Sequence, residues 1–293
     1  MKSLVVGLGI GELYCRVLEK LGADVYTVDQ NPDKLADFTS LDAALDWLGP
    51  LDTVNICTPN FTHYDLALKC RDRAKIVFVE KPGVKDSIEW LSLTKSKYTR
   101  YFLVKNNQYR DNINWIKSQV AKSNHVLLSW VNKDRIPHPG SWFTNKKLAF
   151  GGVSRDLFPH MLSFYLEFEP TAVWHDEMHL DYAQRWKLSD IASTSYGSVN
   201  VDGIYDVDDF VSCRINGKYS IVCDWRSNDD NEFIGIELTS FDGNKTRIPL
   251  GLCPEDAYQH MIDTAFNNYN DISYWATQNI QDLWIHKTLE KIR

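Results

Sequence analysis

From residue 3 to residue 104 the chain alternates short apolar runs with amphipathic segments, and that alternation leaves few folds open. Apolar runs at 3–6, 24–28, 53–57, 76–79 and 101–104 have the length of strands. The intervening segments 11–21, 33–38, 41–47, 63–71 and 86–97 carry apolar residues at the 3.6-residue period of a helix. Strands separated by helices cannot close as hairpins; they cross over, lie parallel and take helices on both faces. The expectation is an α/β unit with a doubly wound parallel sheet over residues 1–108.

Beyond Asn107 the pattern changes. A helix is expected at 111–122 and a strand at 125–133, followed by a Pro/Gly-rich loop at 136–141 and a helix beginning near Ser154. From Asp208 the text alternates in runs at 210–215, 219–225 and 233–241, punctuated by Asn216-Gly217 and Asp242-Gly243, both strong hairpin signals. A last helical region, 254–292, closes the chain. Residues 109–293 are therefore expected to form an α+β unit with a large, mostly antiparallel open sheet.

Composition excludes some partners. A net charge of −7 provides no basic face for a phosphate backbone, so no nucleic acid is expected. The apolar run 4–13 is short, broken by glycine and lacks a cleavage pattern, and no stretch reaches the ~18 apolar residues that a membrane span requires. A cytoplasmic protein without membrane contact is expected. The 6 cysteines form no C-x-x-C pair and read as reduced thiols. His175 and His179 are four apart but stand alone, so no metal site is expected.

Chemistry enters at the strand ends. In Val5-Val6-Gly7-Leu8-Gly9-Ile10-Gly11-Glu12 the first two glycines match G-x-G-x-x-G, a turn that brings backbone N–H groups up to a pyrophosphate at a helix N-terminus. The third position holds Glu12, which must point away from phosphate, while Gly11 beside it relieves crowding of helix against strand. Asp29 ends the second strand about 20 residues beyond Gly9, where a carboxylate accepts from ribose hydroxyls and repels a 2′-phosphate. Gln30 and Asn31 supply no cation to offset it, so NAD is favoured over NADP. Asp29 would also serve as a cap for the segment at Pro32.

Glu80-Lys81-Pro82 follows the buried run Ile76-Val77-Phe78-Val79. A lysine at a strand end is by itself a solvated cation, but downstream the chain carries Gly151-Gly152 and then Asp156 and His160 at helical spacing. With Gly7-Leu8-Gly9, Cys57-Thr58-Pro59-Asn60 and His63, Asn107 with Arg110, and Trp142, these stations in this order resemble the Gfo/Idh/MocA family, the glucose-fructose and inositol dehydrogenase-like oxidoreductases. The resemblance covers nearly the whole length. It implies an N-terminal Rossmann domain, a C-terminal domain whose open sheet usually makes a homodimer or homotetramer, and a nicotinamide over the cleft between the two.

Oxidising an alcohol removes a proton from oxygen while hydride leaves carbon, so a base and a cationic hydrogen-bond donor should flank that oxygen. Lys81 fits the donor and proton relay. His160 fits the acid/base, its ordinary pKa being close to working pH. Asp156, expected on the same helix face as His160, orients the imidazole, stabilises its cation or binds a second hydroxyl. The cofactor candidates are Gly7, Gly9, Ile10, Gly11, Asp29, Thr58, Pro59, Asn60, His63, Glu80 and Lys81. The substrate candidates are Lys81, Asn107, Tyr109, Trp142, Asp156 and His160, with Lys105, Trp130, Lys133, Arg135 and His138 on neighbouring segments; Arg155 reads either as a substrate contact or as a surface cation. Aromatics with polar neighbours suit a sugar or cyclitol, and Lys133, Arg135, Lys146 and Lys147 would suit a nucleotide sugar or be merely solvated. Two alternatives stay open: a reductase of an unsaturated substrate such as biliverdin, whose branch has Tyr where this chain has Lys81, and a non-catalytic dinucleotide sensor.

Overall fold

The computed structural model describes residues 1–170, 177–227 and 232–292. They form two compact units, Met1–Arg110 with Pro254–Lys287, and Asp111–Cys253 with the residues from Thr288 onward. His175 lies outside the described residues.

The first unit runs β1 (Lys2–Val6), α1 (Gly11–Lys20), β2 (Asp24–Val28), α2 (Leu41–Leu48), β3 (Leu51–Ile56), α3 (His63–Lys69), β4 (Ala74–Val79), α4 (Ser87–Leu93) and β5 (Arg100–Leu103). Its five strands are all parallel, in the order β2-β1-β3-β4-β5. Ile76, Val77, Phe78 and Val79 are all buried in succession, the mark of a strand covered on both faces. Local sequence starts the helices: the Ser40 hydroxyl accepts from Ala43 N ahead of α2, and Asp86 accepts from Ile88 N and Glu89 N ahead of α4.

The helix expected at 33–38 does not form. Pro32–Lys34 makes one 3-10 turn and Leu35 turns left-handed at φ 50°. Phe38 then bridges Val28 in parallel, while Asp37 accepts from both the amide and the hydroxyl of Thr27, at 2.9 and 2.8 Å. Those two bonds hold the segment extended along the outer edge of β2, where a helix could not reach them.

The second unit contains α5 (Ile113–Val120), β6 (Ser123–Val131), α6 (Lys146–Ala149), α7 (Val153–Asp156), α8 (Phe158–Phe168), β7 (Met178–Ala183), β8 (Phe210–Ile215), β9 (Tyr219–Asp224), β10 (Phe233–Ser240) and β11 (Lys245–Pro249). The sheet order is β11-β10-β6-β9-β8-β7, antiparallel except where β6 meets β9. Asn216 and Gly217, at φ 51° and 68°, make the turn between β8 and β9, the backbone that a tight hairpin demands. β7 was not readable in the sequence, and β11 was signalled only by the Asp242-Gly243 turn that joins it to β10. In β11 only Ile248 is buried, so no alternating apolar face marks it.

The chain then makes α9 (Glu255–Asn267) and α10 (Ile272–Leu289). The second domain expected over 109–293 is interrupted: residues 254–287 pack with the first unit. Tyr258 stands edge-on to Tyr14 of α1 at 5.4 Å, and Glu255 pairs with Arg16 and Lys20. Asp282 accepts from Leu103 N at 3.1 Å and binds the Lys105 ammonium, both partners fully buried. Apart from the Tyr258 ring contact these anchors are polar, and all are scattered in sequence, which hides their destination from a pattern of apolar residues. No described helix is long and apolar enough to cross a membrane.

Candidate active site

In the first unit the candidate residues gather at the carboxyl ends of the parallel strands, where open sheets bind ligands. Gly7 has φ +91°, and a Cβ there would lie 2.8 Å from Thr58 Cγ2 and 2.9 Å from the Cys57 carbonyl oxygen, so only glycine fits. A Cβ at Gly11 would lie 2.8 Å from Val5 Cγ1, the crowding of helix against strand that the sequence implied. A Cβ on Gly9, by contrast, would meet nothing within 4 Å; this residue and Ile10 face solvent. No side chain caps α1. Glu12 turns outward to Lys34 at 2.7 Å, whose ammonium lowers the pKa of the carboxyl.

Asp29 accepts from Leu8 N at 2.7 Å through one carboxylate oxygen and from Asn31 N at 2.8 Å through the other. It thus ties the glycine turn to the end of β2. The cap of the following turn is Asn31, which accepts from Asp33 N. Each carboxylate oxygen has a second lone pair, and Asp29 is half-buried, so a ribose hydroxyl can still be received.

The remaining candidates separate into a rim and a support beneath it. Thr58, Pro59, Asn60 and Lys81 are half-buried at the ends of β3 and β4. Thr58 Oγ1 lies 2.6 Å from Thr62 Oγ1. His63, expected to bind cofactor, is instead fully buried, its ring nitrogens each 2.7 Å from the carbonyl oxygens of Gly83 and Thr58. Burial pulls its pKa down while the two acceptors push it up. A neutral ring donates to one of them, the imidazolium to both. Either way His63 joins the loop after β3 to the loop after β4. Glu80 is 7% exposed; its carboxylate accepts from the Tyr14 hydroxyl at 2.6 Å and from Lys81 N at 3.1 Å. Behind that loop, His286 accepts from Val84 N at 3.2 Å and stacks on Trp90.

Asp156 and His160 lie in the second unit. Pro159, which has no amide hydrogen, stands in the first turn of α8, and the helix breaks at Leu157. The two residues therefore belong to successive helices, α7 and α8, rather than to one helix as expected. They are the two positions in the stretch 151–166 that are not buried. Trp225 Nε1 donates to Asp156 Oδ2 at 2.9 Å. The His160 ring lies 5.2 Å from that of Trp130, tilted by 30°. Asp208 receives Gly152 N, Ser154 N and Ser154 Oγ at 2.7–3.0 Å and so fixes the Gly151-Gly152 turn that leads into α7.

Other expectations meet burial. Lys105 is 1% exposed, held by Asp282, and cannot face a substrate. Asn107, also 1% exposed, accepts from Arg110 Nε at 2.9 Å and orders the turn after β5. Arg155 is neither a surface cation nor accessible: it is buried and donates to Leu289 O. Tyr109 remains half-buried, its hydroxyl 3.2 Å from that of Tyr274. Trp142 is half-buried against Phe143, and Arg135 lies over the Tyr196 ring. Tyr14 beneath Glu80 and Trp225 beneath Asp156 are not legible in the sequence, because an aromatic on an apolar face reads as core and its polar tip has no sequence signal.

Residues 3–102 match the model of an oxidoreductase family described by its NAD-binding Rossmann fold. A putative UDP-kanosamine synthase oxidoreductase subunit of Amycolatopsis mediterranei (strain S699) is 28% identical over 179 residues, 55% of this chain; the match spans about half, 50%, of that protein's length. Among solved structures, GenD2 from gentamicin A biosynthesis, in complex with NAD, has a TM-score of 0.76 at 18% identity, covering 99% of this chain and 92% of its own. Levoglucosan dehydrogenase, in complex with NADH and levoglucosan, has a TM-score of 0.68 at 14% identity, covering 100% and 95%. The likeness to these two structures is one of fold.

Proposed function

We infer from the match of residues 3–102 to the Gfo/Idh/MocA family of NAD-binding oxidoreductases that this chain moves hydride between NAD and a hydroxyl or carbonyl carbon of a sugar, cyclitol or sugar derivative. The observation that carries this reading is the convergence of Gly9, Asp29, Thr58 and Lys81, all accessible, at the carboxyl ends of one parallel sheet. The site fits the cofactor: the empty space at Gly9 and the uncapped start of α1 leave room and donors for a pyrophosphate. Asp29 would receive the adenosine ribose, and Thr58, Pro59 and Asn60 would border the nicotinamide ribose. When bound, NAD supplies the hydride acceptor.

The side chains do the proton work. Lys81 donates to the reacting oxygen and stabilises its developing charge; His160 takes the alcohol proton, and Asp156, held by Trp225, completes the polar surround. Lysine at position 81 favours alcohol or carbonyl chemistry over reduction of an unsaturated substrate. Relatives named for UDP-kanosamine synthesis and for levoglucosan support a sugar as substrate. Self-association through the six-stranded sheet belongs to the same reading.

Absorbance at 340 nm tests it, with NAD or NADP and a panel of sugars, cyclitols and nucleotide sugars. Wild type is expected to prefer NAD, and Asp29→Ala to narrow that preference about tenfold, the effect of losing one charged hydrogen-bonding group. Equal use of both cofactors by wild type would sink the role given to Asp29. Silence across the panel despite tight NADH binding would instead favour a sensor.

A further inference from the structure

Beneath the accessible rim of the first unit lies a buried carboxylate for which a dinucleotide site has no obvious use. Glu80 directly precedes Lys81, is 7% exposed, and accepts from the Tyr14 hydroxyl at 2.6 Å and from the backbone N–H of Lys81 at 3.1 Å. Tyr14 itself is completely buried on α1, the helix that begins at the glycine turn, and Tyr258 of α9 holds its ring edge-on. A carboxylate taken out of water is tolerated only when hydrogen bonds receive its charge, and a bond from O–H to an anion is among the strong ones.

We propose that Tyr14 is a positioning residue for Lys81: its phenol keeps Glu80 an anion, and Glu80 in turn fixes the Lys81 backbone and sets the charge beside its ammonium. The proposal rests on the reading of Lys81 as the donor to the reacting oxygen. The other groups facing this carboxylate do not compete for the role. Burial pushes both the Tyr14 phenol and the Cys57 thiol, just past the end of β3, well up, so each stays protonated and neutral, and Tyr258 approaches from α9 as a neutral ring. Lys81 follows Glu80 directly in the chain and donates its backbone N–H to it, and His63, under the same loop, faces carbonyl oxygens.

Removing a single oxygen tests it. Tyr14→Phe keeps the ring that packs on Tyr258 and deletes the donor. Glu80 then takes up a proton more readily and its hold on the Lys81 backbone loosens, whereas Glu80→Gln removes the negative charge itself. Reductive ¹³C-methylation of the lysines, with the Lys81 signal identified by its absence from Lys81→Met, reads that loss directly by NMR. The Lys81 titration is expected to move down by about one unit in Glu80→Gln, where the charge is gone, and to stay close to wild type in Tyr14→Phe, where the carboxylate is still ionised at the pH at which a lysine titrates. NADH affinity, measured by fluorescence, should stay within about twofold while kcat falls about tenfold, the weight of one charge-assisted hydrogen bond. An unmoved Lys81 titration in Glu80→Gln would overturn the proposal, as would a loss of NADH affinity in Tyr14→Phe equal to the loss in kcat. If the titration moves but Lys81→Met turns over as fast as wild type, the coupling stands and the functional reading falls.

Discussion

Lys81→Met is expected to lower turnover by about 10²- to 10⁴-fold while NADH still binds within a few-fold of wild type, the range for loss of a positioned proton donor. Methionine keeps most of the length and apolar stem of lysine and deletes only the ammonium. The β4 run beneath it and the Glu80 bonds to Tyr14 and to the residue 81 backbone do not depend on that ammonium, so the strand end should keep its geometry. Steady-state rates at 340 nm on whichever substrate wild type accepts, beside NADH fluorescence titrations, separate the two effects. Retention of more than a tenth of the wild-type rate would remove Lys81 from the chemistry and move the proton relay elsewhere.

The second large effect concerns stability. Asp282→Ala should destabilise the protein by about 3–5 kcal/mol, because it strands the Lys105 ammonium without its counter-ion in a site closed to water. Lys105 would keep only the Leu103 carbonyl oxygen at 3.1 Å and the Phe102 ring face at 4.2 Å. Replacing both partners with apolar residues, Lys105→Met with Asp282→Leu, should recover much of the loss, since neither charge is then left buried. Urea denaturation of the full chain measures all three variants. Burial, outweighing Lys105, pushes the Asp282 carboxyl up to about 6. Between about pH 4 and 6 the folded state therefore holds a proton that the unfolded chain has released, and stability falls as pH rises through that window. Asp282→Asn should flatten that slope; an unchanged slope would show that Asp282 does not titrate there.

Several site residues were legible because their reasons are local. The turn at Gly7 to Gly11 is written in the spacing of glycines, and the turn at Asn216-Gly217 in a dipeptide that accepts positive φ at both positions. Glu80 and Lys81 were legible as a charged pair at the end of an apolar run. Rim and support were not separable in the same way. His63 and Asn107 share residue types with ligand-contacting side chains, yet both face inward and bind neighbouring groups of the chain, a distinction made by which loop packs over which strand end. The segment 33–38 misled because its apolar residues fit a helical period, while the decisive partners, the amide and hydroxyl of Thr27, belong to another strand.

By itself the sequence determined the alternation of strand and helix, the parallel sheet, the hairpin turns and the likeness of residues 3–102 to an NAD-binding oxidoreductase family, since each follows from periodicity or from short-range backbone chemistry. Tertiary structure alone decided that residues 254–287 return to the first unit, that Asp156 and His160 sit on two helices held by Trp225 and Trp130, and that Tyr14 stands under Glu80. These depend on contacts between residues up to hundreds of positions apart. A buried polar group acquires its meaning from the partner that satisfies it, and that partner is named only once the chain has folded.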